Sequence, residues 1–226
     1  MFSFIIKPMI SVFTGGLCLY IKLLKKSPLH VLAILSLIFI NFHFFYPDME
    51  VLQVYMDVSI LVSLLVFLVL SIVIYTYIIL LVGFQFLNGK KMGFFNYIKV
   101  KFTPMFTDLV RAYNEVLLFS LFLLLPGIYK YFKNIFVPYI ALEKDEKLSV
   151  KEFDSLKVSK KLTTSFRTIL IVVVLALLML PVDFASYVIK PESLSHSLLL
   201  ALIGLLPLLY HCLLIALYNE VKVADK

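Results

Sequence analysis

The sequence predicts an all-α fold: a polytopic membrane helical bundle of six transmembrane helices with basic amphipathic interfacial helices. Three observations carry that reading. Hydrophobic residues make up 62% of the 226 positions and charged residues 15%, with a mean hydropathy of +1.01, whereas soluble domains run at roughly 45–50% apolar and about 25% charged. The apolar residues fall in runs of the length a bilayer demands, about 20 residues for a core about 30 Å thick. Basic residues crowd alternate loops. This composition excludes a soluble enzyme, a secreted mini-protein and a disordered chain. Residues 1–226 read as a single membrane domain.

The segment before the first span is polar at Lys7, Ser11, Thr14, Cys18, Lys22 and Lys25. Those spacings line one helical stripe between apolar faces. Such a helix is expected to lie in the headgroup region with its lysines towards anionic lipid. Gly15-Gly16 is expected to weaken or kink it. Lys7-Pro8 interrupts the apolar run, so the start does not read as a signal peptide.

The first span is Leu29 to Phe45 and the second Ser59 to Leu87, the latter long enough to tilt or emerge. Val110 to Leu142 is too long for one crossing and contains Pro126-Gly127. Proline removes a backbone donor and clashes one turn back, so the helix axis is expected to turn within Leu125 to Tyr129. This makes two helices that cross and return, or alternatively a buried re-entrant hairpin. Thr168 to Phe184 and Ser195 to Tyr218 complete the six.

Eighteen of the 21 basic residues then fall on one side, in the N-terminal segment, two loops and the tail, against three (Lys130, Lys133, Lys190) on the other. Positive residues mark the cytoplasmic side, so both termini are expected inside. The net charge of +7 flanks apolar spans, which argues for anionic membrane lipid as partner and against nucleic acid. Lys22, Lys25, Lys26, Lys99, Lys101, Lys157, Lys160 and Lys161 are the expected lipid contacts. A basic phrase recurs before spans at Ile21, Ile98 and Leu156. It divides the chain into units 1–87, 88–142 and 143–226, by repetition or by the convergent chemistry of cytoplasmic flanks.

Ionisable groups inside a membrane are costly and often functional. Asp108, Arg111, Asn114 and Glu115 open the third span. Asp108 and Arg111 form an i,i+3 pair and Arg111 and Glu115 an i,i+4 pair, so the three share a face. They read as a self-neutralised helix entrance or as a polar gate. His211 is expected to bond a neighbouring helix. No metal or cofactor site is expected: Cys18 and Cys212 sit in apolar segments without ligand spacing. No GxSxG, HExxH, P-loop or GxGxxG is present, and the 24-residue loop Glu143 to Phe166 is too short for a catalytic domain, so the chain is not read as an enzyme.

The run beginning at Leu117, LLFSLFLLLPGIYKYFKNIFVPYIALEKDEKLSVKEFDSLKVSKKL, resembles the YciC-like bacterial membrane proteins, related to the membrane domain beside some glycerophosphodiester phosphodiesterases. The matching residues are Pro126, Gly127, Ile128, Pro138, Glu143, Ser155 and Ser159. The chain departs at Leu162-Thr-Thr-Ser-Phe, where the family often has glycine and tryptophan. The resemblance implies a place, the bacterial inner membrane, and no particular reaction. The functional expectation is a non-enzymatic multi-pass protein with a structural or accessory envelope role. The alternative is a small transporter or lipid-handling protein using Arg111 and Glu115.

Overall fold

The computed structural model describes residues 2–45, 58–88, 92–122, 124–143, 154–177 and 194–224, and among these it is all-helical. In chain order the helices are α1 (Phe2–Lys26), α2 (Pro28–Phe45), α3 (Val58–Phe86), α4 (Phe94–Phe122) and α5 (Leu124–Asn134). They continue with α6 (Val137–Glu143), α7 (Ser155–Leu162), α8 (Phe166–Leu177), α9 (Leu194–Ile203) and α10 (Leu206–Ala224). Four stretches are long and apolar enough to cross a membrane: Ile6–Lys26, Pro28–Phe45, Leu61–Phe86 and Ser195–Val223. The expected acidic loop with Asp48 and Glu50, the lysines at 90, 91 and 144–151, and Lys190 lie outside the described residues.

Four prolines lie in the first turn of a helix, while Pro8 and Pro104 lie inside α1 and α4. Pro28 is the first residue of α2, Pro126 the third of α5, Pro138 the second of α6 and Pro207 the second of α10. In a first turn the missing N–H has no partner to lose, and the fixed φ suits the helix. The break expected at Pro126-Gly127 is therefore corrected: α4 ends at Phe122, and Pro126 already lies in the first turn of α5. Gly127 has a different task. A Cβ there would sit 1.9 Å from Ser120 Oγ and 2.9 Å from Ser120 Cα, so the bare backbone lets α5 fold flat against α4. Asn134 reaches Ala112 and Lys130 reaches Glu115 further along. The pairings 120–127, 115–130 and 112–134 define an antiparallel hairpin.

α10 lies at the centre, its residues from Tyr210 to Ile215 all buried. α1 packs along it, burying Val12, Gly16 and Leu23. The expectation that Gly15-Gly16 weakens or interrupts this helix is corrected here. α1 is a continuous helix, and Gly15-Gly16 is its contact with α10: a Cβ on Gly16 would lie 2.8 Å from Leu213 Cα. Small residues allow two helix backbones this approach. The polar stripe from Lys7 to Lys25 faces outward, exposed at all six positions.

α2 and α3 pair antiparallel, tied by Asn41 Nδ2 to Ser71 Oγ at 3.0 Å and Gln85 Nε2 to Ser27 Oγ at 2.6 Å. α9 closes on α2 through His43 Nδ1 and Ser197 Oγ at 2.9 Å. Hydrogen bonds of this kind hold apolar helices together where burial from lipid offers little gain.

Candidate functional site

The polar cluster found in the sequence joins α4, α5 and α7. Asp108 and Arg111 pair at 3.3 Å as expected. The expected Arg111–Glu115 pair is replaced: Arg111 Nη2 lies 3.8 Å from Asp154 Oδ1 on α7's N-cap. Glu115 Oε1 instead takes Lys160 Nζ at 2.7 Å and Lys130 Nζ at 3.0 Å. Its Oε2 accepts from Asn134 Nδ2 at 3.0 Å. The reason is reach. The hairpin brings two lysines and an amide from other helices onto Glu115, while Arg111 is drawn to the two aspartates. Asn114 is exposed and stands outside the cluster.

α7 is placed by its own sequence. Asp154 caps it, accepting from Leu156 N at 3.2 Å, which satisfies a free first-turn donor. Ser155, Ser159 and Thr163 recur every four residues, lie on one face and are each fully buried. They meet the joint between α5 and α6, where Pro138 follows the Ile135-Phe136 break. Ser159 Oγ donates to Lys133 O at 2.8 Å and accepts from Phe136 N at 3.3 Å. Ser155 Oγ donates to Asp108 Oδ2 at 2.7 Å. A hydroxyl helix thus satisfies the backbone groups that the break leaves free, which an apolar surrounding requires.

Lys133 is buried, and its Nζ donates to Thr163 O at 2.7 Å. That carbonyl closes α7, and a helix C-terminus carries partial negative charge. Lys130 Nζ also lies 4.4 Å from the Phe119 ring centroid, a cation–π contact.

These contacts correct two expectations. Lys160, expected against lipid, is half-buried and bound to Glu115. Lys130 and Lys133, counted on the face opposite to the α7 lysines, share one layer with them, because Lys130 and Lys160 meet the same carboxylate oxygen. Lys22, Lys25, Lys26, Lys99, Lys157 and Lys161 are exposed, and Lys101 is half-buried. Lys133, Asn134, Asp154 and Thr163 belong to the cluster although sequence reasoning missed them. Asn134 follows Lys130 by four residues, a spacing that reveals their common face once the hairpin is drawn.

A second polar region lies beside the first, between α3, α4, α5, α6 and α10. His211 Nδ1 hydrogen-bonds Tyr139 Oη of α6, so the histidine does bond a neighbouring helix. The Tyr75 ring packs edge-on to His211, with centroids 5.0 Å apart. Glu143 closes the end of α6, accepting from Tyr218 Oη at 2.6 Å and pairing with Lys222. A cavity of about 40 Å³ opens among Tyr75, Tyr113, Tyr131, Asn134, Tyr210 and His211. Asp108, Arg111 and Glu115 do not line it. Among the described residues no group of three or more His, Cys, Asp or Glu side chains is placed to hold a metal ion. The chain matches no family model, no curated protein and no solved structure.

Proposed function

We propose that this chain is a non-enzymatic multi-pass protein of a bacterial inner membrane with a structural or accessory envelope role, its outward lysines resting on anionic lipid. One observation supports this above the transporter reading. The ionised cluster is consumed internally: Glu115 by Lys130, Lys160 and Asn134, and Arg111 by Asp108 and Asp154. The cavity beside it is lined by Asn134 and not by Asp108, Arg111 or Glu115. Charges arranged in this way brace helices.

In this reading six segments insert in the bilayer: α2, α3, the two arms of the α4–α5 hairpin, α8, and α9 with α10. Both termini are cytoplasmic. The hairpin tip carries Leu117, Leu121, Leu124 and Leu125, all exposed, which suits lipid. Kinship with the YciC-like proteins belongs to the same reading. It is supported by the roles its matching residues play here, with Pro126 and Pro138 starting helices, Gly127 at a close approach, and Ser155 and Ser159 buried at a joint.

The test is lipid retention by native mass spectrometry. Each surface lysine contributes about 1 kcal/mol towards an anionic bilayer, so neutralising Lys22, Lys25 and Lys26 together to Gln is expected to reduce phosphatidylglycerol retention at least tenfold. Lys160→Gln is expected to leave retention unchanged and to lower thermal stability. Equal retention of zwitterionic and anionic lipid by the wild type would defeat the lipid role. Vesicle conductance abolished by Glu115→Gln would return the transporter reading.

A further inference from the structure

Three buried polar atoms without a protein partner belong to residues lining one cavity: Asn134 Oδ1, Tyr210 Oη and His211 Nε2. Their residues are 5%, 5% and 1% exposed. An unpaired buried polar group costs about 1–3 kcal/mol, so three around one space are not an accident of packing.

The polarity of this space is set from outside it. Asn134 Nδ2 faces two acceptors, Glu115 Oε2 at 3.0 Å and Ala112 O at 3.5 Å. The amide cannot be turned round without placing oxygen against a carboxylate, so Asn134 presents an acceptor to the cavity. Tyr139 Oη has His211 Nδ1 as its hydrogen-bond partner. When the phenol donates to Nδ1, the neutral ring carries its proton on Nε2 and presents a donor; when Nδ1 donates to the phenol, Nε2 presents an acceptor. Tyr210 Oη does either; the Tyr131 hydroxyl lies beside it and competes with the cavity for its hydrogen bond.

We propose that this cavity is a binding site for water, holding a cluster of two or three molecules between Asn134, Tyr210 and His211. The size fits: one water needs about 10–15 Å³ of this volume, and the cavity has about 40 Å³. The chemistry fits as well. The site offers one fixed acceptor, one imidazole nitrogen and one hydroxyl, and has no carboxylate lining, so it suits a small neutral molecule that both donates and accepts. Through Asn134 the cluster is one hydrogen bond from Glu115 and hence from Lys130 and Lys160.

X-ray radiolytic labelling of the wild-type protein in ¹⁸O-water tests this directly, because bound water delivers its label to adjacent buried rings. Tyr210 is expected to label several-fold more than Tyr97, which is also buried, has an unpaired hydroxyl and lies outside the cavity. Labelling of Tyr210 no greater than that of Tyr97 overturns the proposal. A thermal-stability comparison provides the second arm. Tyr210→Phe is expected to lower Tm by about 3 °C, and to do so equally in a Tyr131→Phe background, where no tyrosine pairing is left. Tyr97→Phe is expected to leave Tm unchanged or raise it. A Tyr210→Phe variant at least as stable as the wild type, or a cost that vanishes with Tyr131→Phe, overturns the proposal as well.

Discussion

Two polar regions share Asn134 and bury their groups by different means. On the Glu115 side, charge is met by charge: two lysines and an amide from two other helices converge on one carboxylate. On the His211 side, neutral rings from α3, α6 and α10 gather, with one internal hydrogen bond to Tyr139 and polar atoms turned to a cavity. The difference concerns specificity. A carboxylate accepting from Lys130 and Lys160 fixes where α7 docks, because no slid register keeps both partners. The ring cluster fixes only that α6 lies against α10. Charge orders the docking of α7 on the α4–α5 hairpin; aromatic packing joins α3 and α6 to α10.

The largest expected effect tests whether the charged side is the stronger fastening. Glu115→Ala leaves Lys130 and Lys160, both half-buried, without their shared acceptor. Removing one partner of a buried ion pair costs about 3–5 kcal/mol, and the partial exposure here places the effect near the bottom of that range, read as a fall in Tm in detergent. Protease sensitivity should rise first around 154–165, where α7 is held. A loss below that of Tyr139→Phe would reverse the comparison.

Gly127→Ala asks whether the charged side depends on the hairpin's closeness. The added methyl meets the Ser120 backbone, which cannot swing aside, so the arms must part. Overpacking of this kind costs about 1–3 kcal/mol. Gly16→Ala is expected to do the same between α1 and α10. Gly15→Ala is the control: its Cβ would meet Ala216 Cβ at 3.6 Å, an ordinary contact, so loss of backbone freedom in the unfolded chain makes it neutral or stabilising by about 0.5–1 kcal/mol. Equal behaviour at 15 and 16 would refute the close-approach account.

On the neutral side, Tyr139→Phe removes the partner of His211 Nδ1 and leaves that buried atom unsatisfied, for about 1–3 kcal/mol. Its effect is expected near the middle of that range, below Glu115→Ala. It should also be independent of salt between about 0.1 and 1 M, over which the Debye length falls from about 10 Å to about 3 Å. A salt-dependent loss would show that charge is at work in the ring cluster too.

Much of the fold is legible in the sequence for plain physical reasons. Apolar length places α2 and α3 to within a residue, because burial in lipid leaves the chain no other use for such runs. Proline marks the joints, though less simply than its reputation suggests: Pro126 reads as a helix breaker, whereas it starts a helix, as its missing N–H permits. Lys160 is misread as lipid-facing because amphipathicity reports that one face is polar and says nothing of what each polar side chain meets. Ser155, Ser159 and Thr163 are the clue to the true arrangement, being a small polar stripe opposite the lysines. Glu115's partners arise from the hairpin's register, which depends on Gly127 meeting Ser120 and on no local pattern.

The smallest effect is expected at the rim. Arg111 is 48% exposed in its side chain and holds Asp108 at 3.3 Å and Asp154 at 3.8 Å. Exposed pairs contribute about 0–1 kcal/mol, and neither aspartate is left alone when the guanidinium goes: Asp108 keeps Ser155 Oγ, and Asp154 keeps the Leu156 N–H of its cap. Arg111→Ala is therefore expected to lower stability by less than about 1 kcal/mol. Raising the salt to about 1 M, where the Debye length falls to about 3 Å, should erase the difference from wild type. The contrast with Glu115→Ala sharpens the central distinction, since the two residues lie one helical turn apart with opposite charges. If Arg111→Ala proves as costly as Glu115→Ala and stays so in high salt, the cluster is a single cooperative unit, and its outer pair holds α7 as firmly as its inner one.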